Sequence, residues 1–153
     1  MDAVTPKVKG KADSKTDAHS HVVRPVEMEW QKTRFPGCEA KTLLFDQKTG
    51  LVTALMRFAP GAVLPDHEHV QIEQTYVLEG RLVDKEGPAE GLVAGPGEFV
   101  WREIGSRHVA WCPEGGLMLA MFQVPNKFYE ADGRVTDASG KDWDSVWGHT
   151  QKR

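Results

Sequence analysis

Two of the six histidines in the 153-residue chain, His67 and His69, stand two apart, with Glu73 four residues further on. On a strand, side chains at i and i+2 face the same way, so two imidazoles at this spacing can reach one ion. On a helix they would diverge by roughly 200°. Pro65 ahead of the pair and Thr75, Tyr76 and Val77 after it favour the strand. Glu73 shares their parity, provided that Val70 to Ile72 does not turn the chain. Neutral imidazole and carboxylate groups suit Fe(II), Mn, Ni, Cu and Zn ions, so the chemistry on offer is that of one bound divalent metal.

A further ligand must come from elsewhere in the chain. His108 lies in an apolar, strand-like run, and His149 lies near the C-terminus. His19 and His21 repeat the alternating spacing in a polar stretch with no scaffold to aim them, so the spacing alone is weak evidence.

The elements that must position these groups read as short strands. Apolar runs at Lys41 to Phe45, Leu51 to Phe58, Gln74 to Leu78, Arg81 to Asp84, Glu98 to Glu103, His108 to Cys112 and Leu117 to Gln123 are separated by Gly- and Pro-containing turns. Helical periodicity is scarce, and regular short strands imply an all-β sandwich or barrel. Residues 1–21 hold almost no large apolar side chain and are expected to be a disordered tail. The expected barrel spans residues 22–125. Residues 126–153 are polar but studded with Phe128, Tyr129, Trp143 and Trp147, which predicts an extension packing on the barrel or on a second copy.

Glycine and metal-ligand spacings together resemble the cupin superfamily. Gly61, His67, His69, Glu73 and Gly80 match every position of its first motif. Gly97, Gly105 and His108 match the second motif, in which Glu103 replaces the usual Pro and Cys112 the usual Asn. The resemblance implies a cupin jelly-roll (double-stranded β-helix) barrel with His67, His69, Glu73 and His108 around one metal ion. The chain is similar to small single-domain bacterial cupins, which include diketone- and dihydroxyacetophenone-cleaving dioxygenases, and to the cupin lobe of ChrR-type anti-sigma factors.

Four ligands around an ion that prefers six leave two positions for a chelating substrate or dioxygen. Together with these open positions, the resemblance to such cupins implies a non-haem Fe(II) dioxygenase that cleaves a C–C bond in a diketone, hydroxyketone or related enolisable compound. A metal-binding sensor and a metal-dependent isomerase are the alternatives. Residues expected near the substrate, according to which parity faces inward, are Leu55, Phe58, Leu64, Tyr76, Trp101, Trp111, Met121 or Phe122. Arg57, Arg81, Glu98 and Glu103 read as surface or turn charges.

Composition narrows the partners. With 19 Lys plus Arg against 22 Asp plus Glu, the net charge of -3 offers no footprint for nucleic acid or an anionic membrane. Neither a signal peptide nor a spanning helix is visible, and Cys38 and Cys112 lack redox or zinc-knuckle spacing, so they read as small buried hydrophobes in a cytoplasmic protein. A homodimer is expected by analogy with small cupins.

Overall fold

The structure is a computed structural model and describes residues 19–151. The expected tail lies outside the described residues over 1–18. Beyond it run β1 (Gln31–Lys32), β2 (Cys38–Asp46), β3 (Leu51–Phe58), β4 (Ala62–Glu68), β5 (Glu73–Gly80), β6 (Leu82–Glu86) and β7 (Val93–Ala94). Then follow β8 (Phe99–Arg102), β9 (Arg107–Cys112), β10 (Gly116–Gln123), β11 (Lys127–Tyr129), β12 (Val135–Thr136) and α1 (Trp143–Trp147). No helix among the described residues is long and apolar enough to cross a membrane.

The strands form two six-stranded antiparallel sheets. The first has the order β1-β2-β3-β10-β5-β8 and the second β12-β11-β4-β9-β6-β7. From β3 to β6 and from β7 to β11 consecutive strands alternate between sheets, as when β4 hands over to β5 and β9 to β10, and the two faces curl around one interior. This is the expected jelly roll. Period-two burial fills that interior: Val52, Ala54 and Phe58 from β3, Thr75 and Val77 from β5, and Met118 and Ala120 from β10 are buried. Cys38 and Cys112 belong to the same apolar cluster, and burial pushes their thiols up to about 11 and about 12, so both stay protonated.

The motif glycine Gly80 serves the fold. Its φ is +73°, and a Cβ there would come within 2.0 Å of the Gly115 carbonyl oxygen, so the β5–β10 approach excludes any other residue.

The segment beyond residue 125 continues the second sheet. Its β11 pairs with β4, setting Phe128 opposite His67. Asp142 caps α1 by accepting from the Ser145 N–H at 2.9 Å. Trp143 and Trp147, four residues apart on one helix face, are both buried in a cluster with Val70 and Val124.

Candidate metal centre

His67 owes its aim to an irregularity in β4. The β4–β9 register runs Leu64 to Ala110 and then His67 to His108, so two residues, Pro65 and Asp66, oppose Val109 alone. Such a bulge reverses the parity, and Leu64 and His67, three apart, both line the interior. Proline suits this position because it has no ladder N–H to leave unpaired. Its carbonyl then accepts from His67 Nδ1 at 2.7 Å, which turns the other ring nitrogen inward.

His69 lies one residue beyond the end of β4. Its backbone still extends the ladder, donating to the Ser106 carbonyl at 2.9 Å and accepting from Gly105 N–H at 2.8 Å. The chain then turns through Val70 to Ile72 and enters the opposite sheet at Glu73, the first residue of β5. Strand parity therefore does not relate Glu73 to the histidines. It arrives from the facing sheet.

His67, His69 and His108 come together, 1%, 0% and 3% exposed. One ring nitrogen from each lies within 4.8 Å of the others. Glu73 stands beside this group, its Oε2 3.1 Å from His69 Nδ1 and its Oε1 accepting from the Thr75 hydroxyl at 3.3 Å. His19, His21 and His149 do not join the cluster.

Burial, reinforced by the neighbouring His108 and His69 rings, pushes His67 down to about 3, so it is neutral at ordinary pH. Burial also pushes His108 down, against the pull of Asp84. Burial opposes the charge on Glu73, but the adjoining His69 ring outweighs it and holds the carboxyl at about 2. The cluster is thus three buried imidazoles, with burial disfavouring the charged form of His67 and His108, and a carboxylate beside them.

The nitrogens themselves fit a cation. His69 Nε2 and His108 Nε2 are 3.0 Å apart. His69 Nδ1 is close to Glu73 but out of line for a hydrogen bond, which makes it a buried polar atom with no hydrogen-bond partner. Bringing three ring nitrogens together in a dry interior is costly unless something positive shares their lone pairs.

Two residues not expected from sequence complete the site. Asp84 of β6, 1% exposed, receives His108 Nδ1 at 2.8 Å and both arms of Arg102 of β8 at 2.7 and 2.8 Å. Asp84 shares the inward parity of the buried Leu82, and a charge at an inward position was the available signal. Arg57 and Arg81 pair with Glu39 and Glu114 on the exterior, and Glu98 accepts from the Gly95 N–H in its turn.

An interior cavity of about 590 Å³ meets the cluster. His67, His108 and Glu73 line it together with Phe45, Met56, Phe58, Leu64, Phe122 and Phe128. Of the residues expected near substrate, Phe58, Leu64 and Phe122 are present. Tyr76 and Trp101 point outward, 43% and 54% exposed, because Thr75, Val77 and Arg102 take the inward parity; Leu55, Trp111 and Met121 are half-buried and absent from the lining. A second depression of about 580 Å³, bounded by Lys32, Pro36, Glu39, Arg57 and Pro60, contains none of the histidines.

Known proteins share this architecture. An acetylacetone dioxygenase from Acinetobacter johnsonii superposes with a TM-score of 0.66 at 18% identity, covering 99% of this chain and 100% of that one. A Ralstonia eutropha protein of unknown function with a cupin-like fold gives 0.59 at 25% identity, over 67% of this chain and 65% of that one. The Rhodobacter sphaeroides complex of SigE with the anti-sigma ChrR gives 0.53 at 23% identity, over 65% of this chain and 50% of that one. No curated protein matches the sequence significantly. The model of the ChrR cupin-like domain family matches residues 18–127, which span both histidine motifs and the barrel that aims them, and the chain belongs to that family.

Proposed function

We propose that the chain is a mononuclear non-haem Fe(II) dioxygenase acting on an apolar diketone, hydroxyketone or related enolisable compound. The observation that supports this most is the meeting of three buried imidazoles with a largely apolar cavity of about 590 Å³, a size suited to a small organic ligand. His67, His69 and His108 would hold the ion, with Glu73 as the fourth ligand; Mn, Ni, Cu and Zn suit the same donors. When bound, iron supplies a Lewis acid for the substrate oxygens and a redox partner for dioxygen.

The chain's own residues do the rest. Phe58, Leu64, Phe122 and Phe128 exclude water and present apolar walls to the substrate's flanking groups. Glu73, held low at about 2, is a poor base, and its role is to bind the ion or balance its charge. The overall change is R–CO–CH2–CO–R′ plus O2 to R–COOH plus OHC–CO–R′, in which the carbon skeleton supplies the electrons and both oxygen atoms are retained. Full-length superposition on an acetylacetone dioxygenase agrees with this chemistry.

Anaerobic loading with Fe(II), followed by oxygen-electrode assays on a panel of β-diketones, tests the proposal. Stoichiometric oxygen uptake with at least one member is expected. None with any member would sink it.

Membership of the ChrR cupin-like family favours a second reading, a metal-dependent regulatory module. Co-purification of a sigma factor would point there. A sugar isomerase is less suited, since Lys141 is the single Lys or Arg side chain in the described cavity lining. As a partner we propose a second copy of the chain, docked on the outer face of the first sheet, where Tyr76, Leu78, Phe99 and Trp101 stand exposed.

A further inference from the structure

His108 does not stand alone. Its Nδ1 lies 2.8 Å from Asp84 Oδ1, the same oxygen that accepts from Arg102 Nη2 at 2.7 Å, while Asp84 Oδ2 accepts from Arg102 Nη1 at 2.8 Å. All three residues are at least 95% buried, with Asp84 1%, His108 3% and Arg102 5% exposed. An ion pair so deep is costly to desolvate and is weak evidence for stability, so its retention asks for another reason.

Proton inventory supplies that reason. A carboxylate held by a bidentate guanidinium can only accept, so a neutral imidazole against it must carry its proton on Nδ1. The lone pair is then on Nε2, the nitrogen that faces His69 Nε2 at 3.0 Å. Arg102 comes from β8 in the first sheet, opposite Glu73, whereas Asp84 comes from β6 in the second. The pair therefore also ties the two sheets together beside the candidate ligands.

We propose that Asp84, anchored by Arg102, is the positioning residue of the metal centre: it fixes the tautomer and ring orientation of His108 so that Nε2 is offered as a ligand. Arg102, bonded to both carboxylate oxygens, stops Asp84 from rotating away. The inference rests on the reading of the histidine cluster as a metal site. His67 has a backbone carbonyl in the corresponding place, and His69 Nδ1 lies 3.1 Å from Glu73 Oε2 but out of line for a hydrogen bond, so of the three rings it is His108 that hydrogen-bonds a carboxylate.

The test uses full-length protein and Co(II) as the probe. Long-range 1H–15N correlation spectra of metal-free wild type should show His108 as the Nδ1–H tautomer. Co(II) affinity, read from its visible absorption, should fall at least tenfold in Asp84→Asn and in the charge-neutral double variant Asp84→Asn/Arg102→Met, as loss of a ligand's outer partner generally does. The double variant leaves no unpaired buried charge, and the affinity comparison is made on whichever variant keeps the wild-type circular dichroism spectrum. An Nε2–H tautomer in wild type, or an affinity loss below tenfold in a folded variant, overturns the proposal. Wild type that takes up no Co(II) overturns the metal site itself, an outcome distinct from binding that the variants leave unchanged.

Discussion

His67 shows how much is asked of a single side chain here. It is 1% exposed, stacks against Phe128 with ring centroids 5.3 Å apart, and is pushed from its ordinary 6.5 down to about 3, chiefly by burial. Below pH 6.5 the unfolded chain takes up a proton that the folded chain refuses. The folded state therefore loses stability as pH falls from about 6.5 towards about 3, at up to about 1.4 kcal/mol per pH unit for this one group, and is unaffected above that window. Urea unfolding of chelator-treated protein should show wild type losing about 2 kcal/mol more than His67→Gln between pH 6.5 and 5. Equal losses in the two proteins would contradict the assignment. His67 and His69 were legible as a local alternating pair, and His108 through its place in the second glycine-and-histidine motif. The Arg102–Asp84–His108 chain was not, since its members lie on three strands and only the fold's register brings them together.

At the level of elements, the longer strands could be read from their Gly and Pro punctuation, and the runs around Leu51–Phe58 and Gly116–Gln123 need little adjustment. Two things escaped. The bulge at Pro65 and Asp66 depends on the partner strand, so nothing local in β4 announces it. The two- and three-residue strands β1, β7, β11 and β12 are too short for any periodicity and exist because a neighbour offers a free ladder edge. The aromatic residues of the final segment did point to burial. Trp143, 1% exposed, donates its Nε1–H to the Pro125 carbonyl at 2.8 Å, and Tyr129 donates to Glu68 beside β11. Trp143→Ala should cost about 3–5 kcal/mol, the usual range for a truncated core aromatic, seen as a lowered midpoint in thermal or urea unfolding. Because Phe128 is carried on the same segment, hydrogen exchange at β4 should accelerate in this variant. A loss below about 1 kcal/mol would mean that the segment is held by β11 alone.

For the whole molecule, the unresolved tension is an outer sheet face that is apolar where a solvent-facing surface should be polar. The register sets Leu55, Leu119, Tyr76 and Phe99 in one row across β3, β10, β5 and β8, with Met121 and Trp101 on the next. Tyr76, Phe99 and Trp101 are 43%, 52% and 54% exposed. At about 150–250 Å² per aromatic side chain, these three alone leave about 300 Å² open. Leu78, 42% exposed and on the outward parity of Tyr76, extends the patch towards the size that marks an interface, while a stable dimer needs about 800 Å² per partner, so this patch can form its core. Packing of this outer face against its own copy about a two-fold axis would bury the aromatic rows on both chains at once. Sedimentation equilibrium across the micromolar range should therefore give a dimer, and Trp101→Glu should give a monomer. Trp101 is outside the cavity, so the monomer should keep its Co(II) affinity. A monomeric wild type would leave the aromatic face to some other partner, whereas a dimer indifferent to Trp101→Glu would place the interface elsewhere.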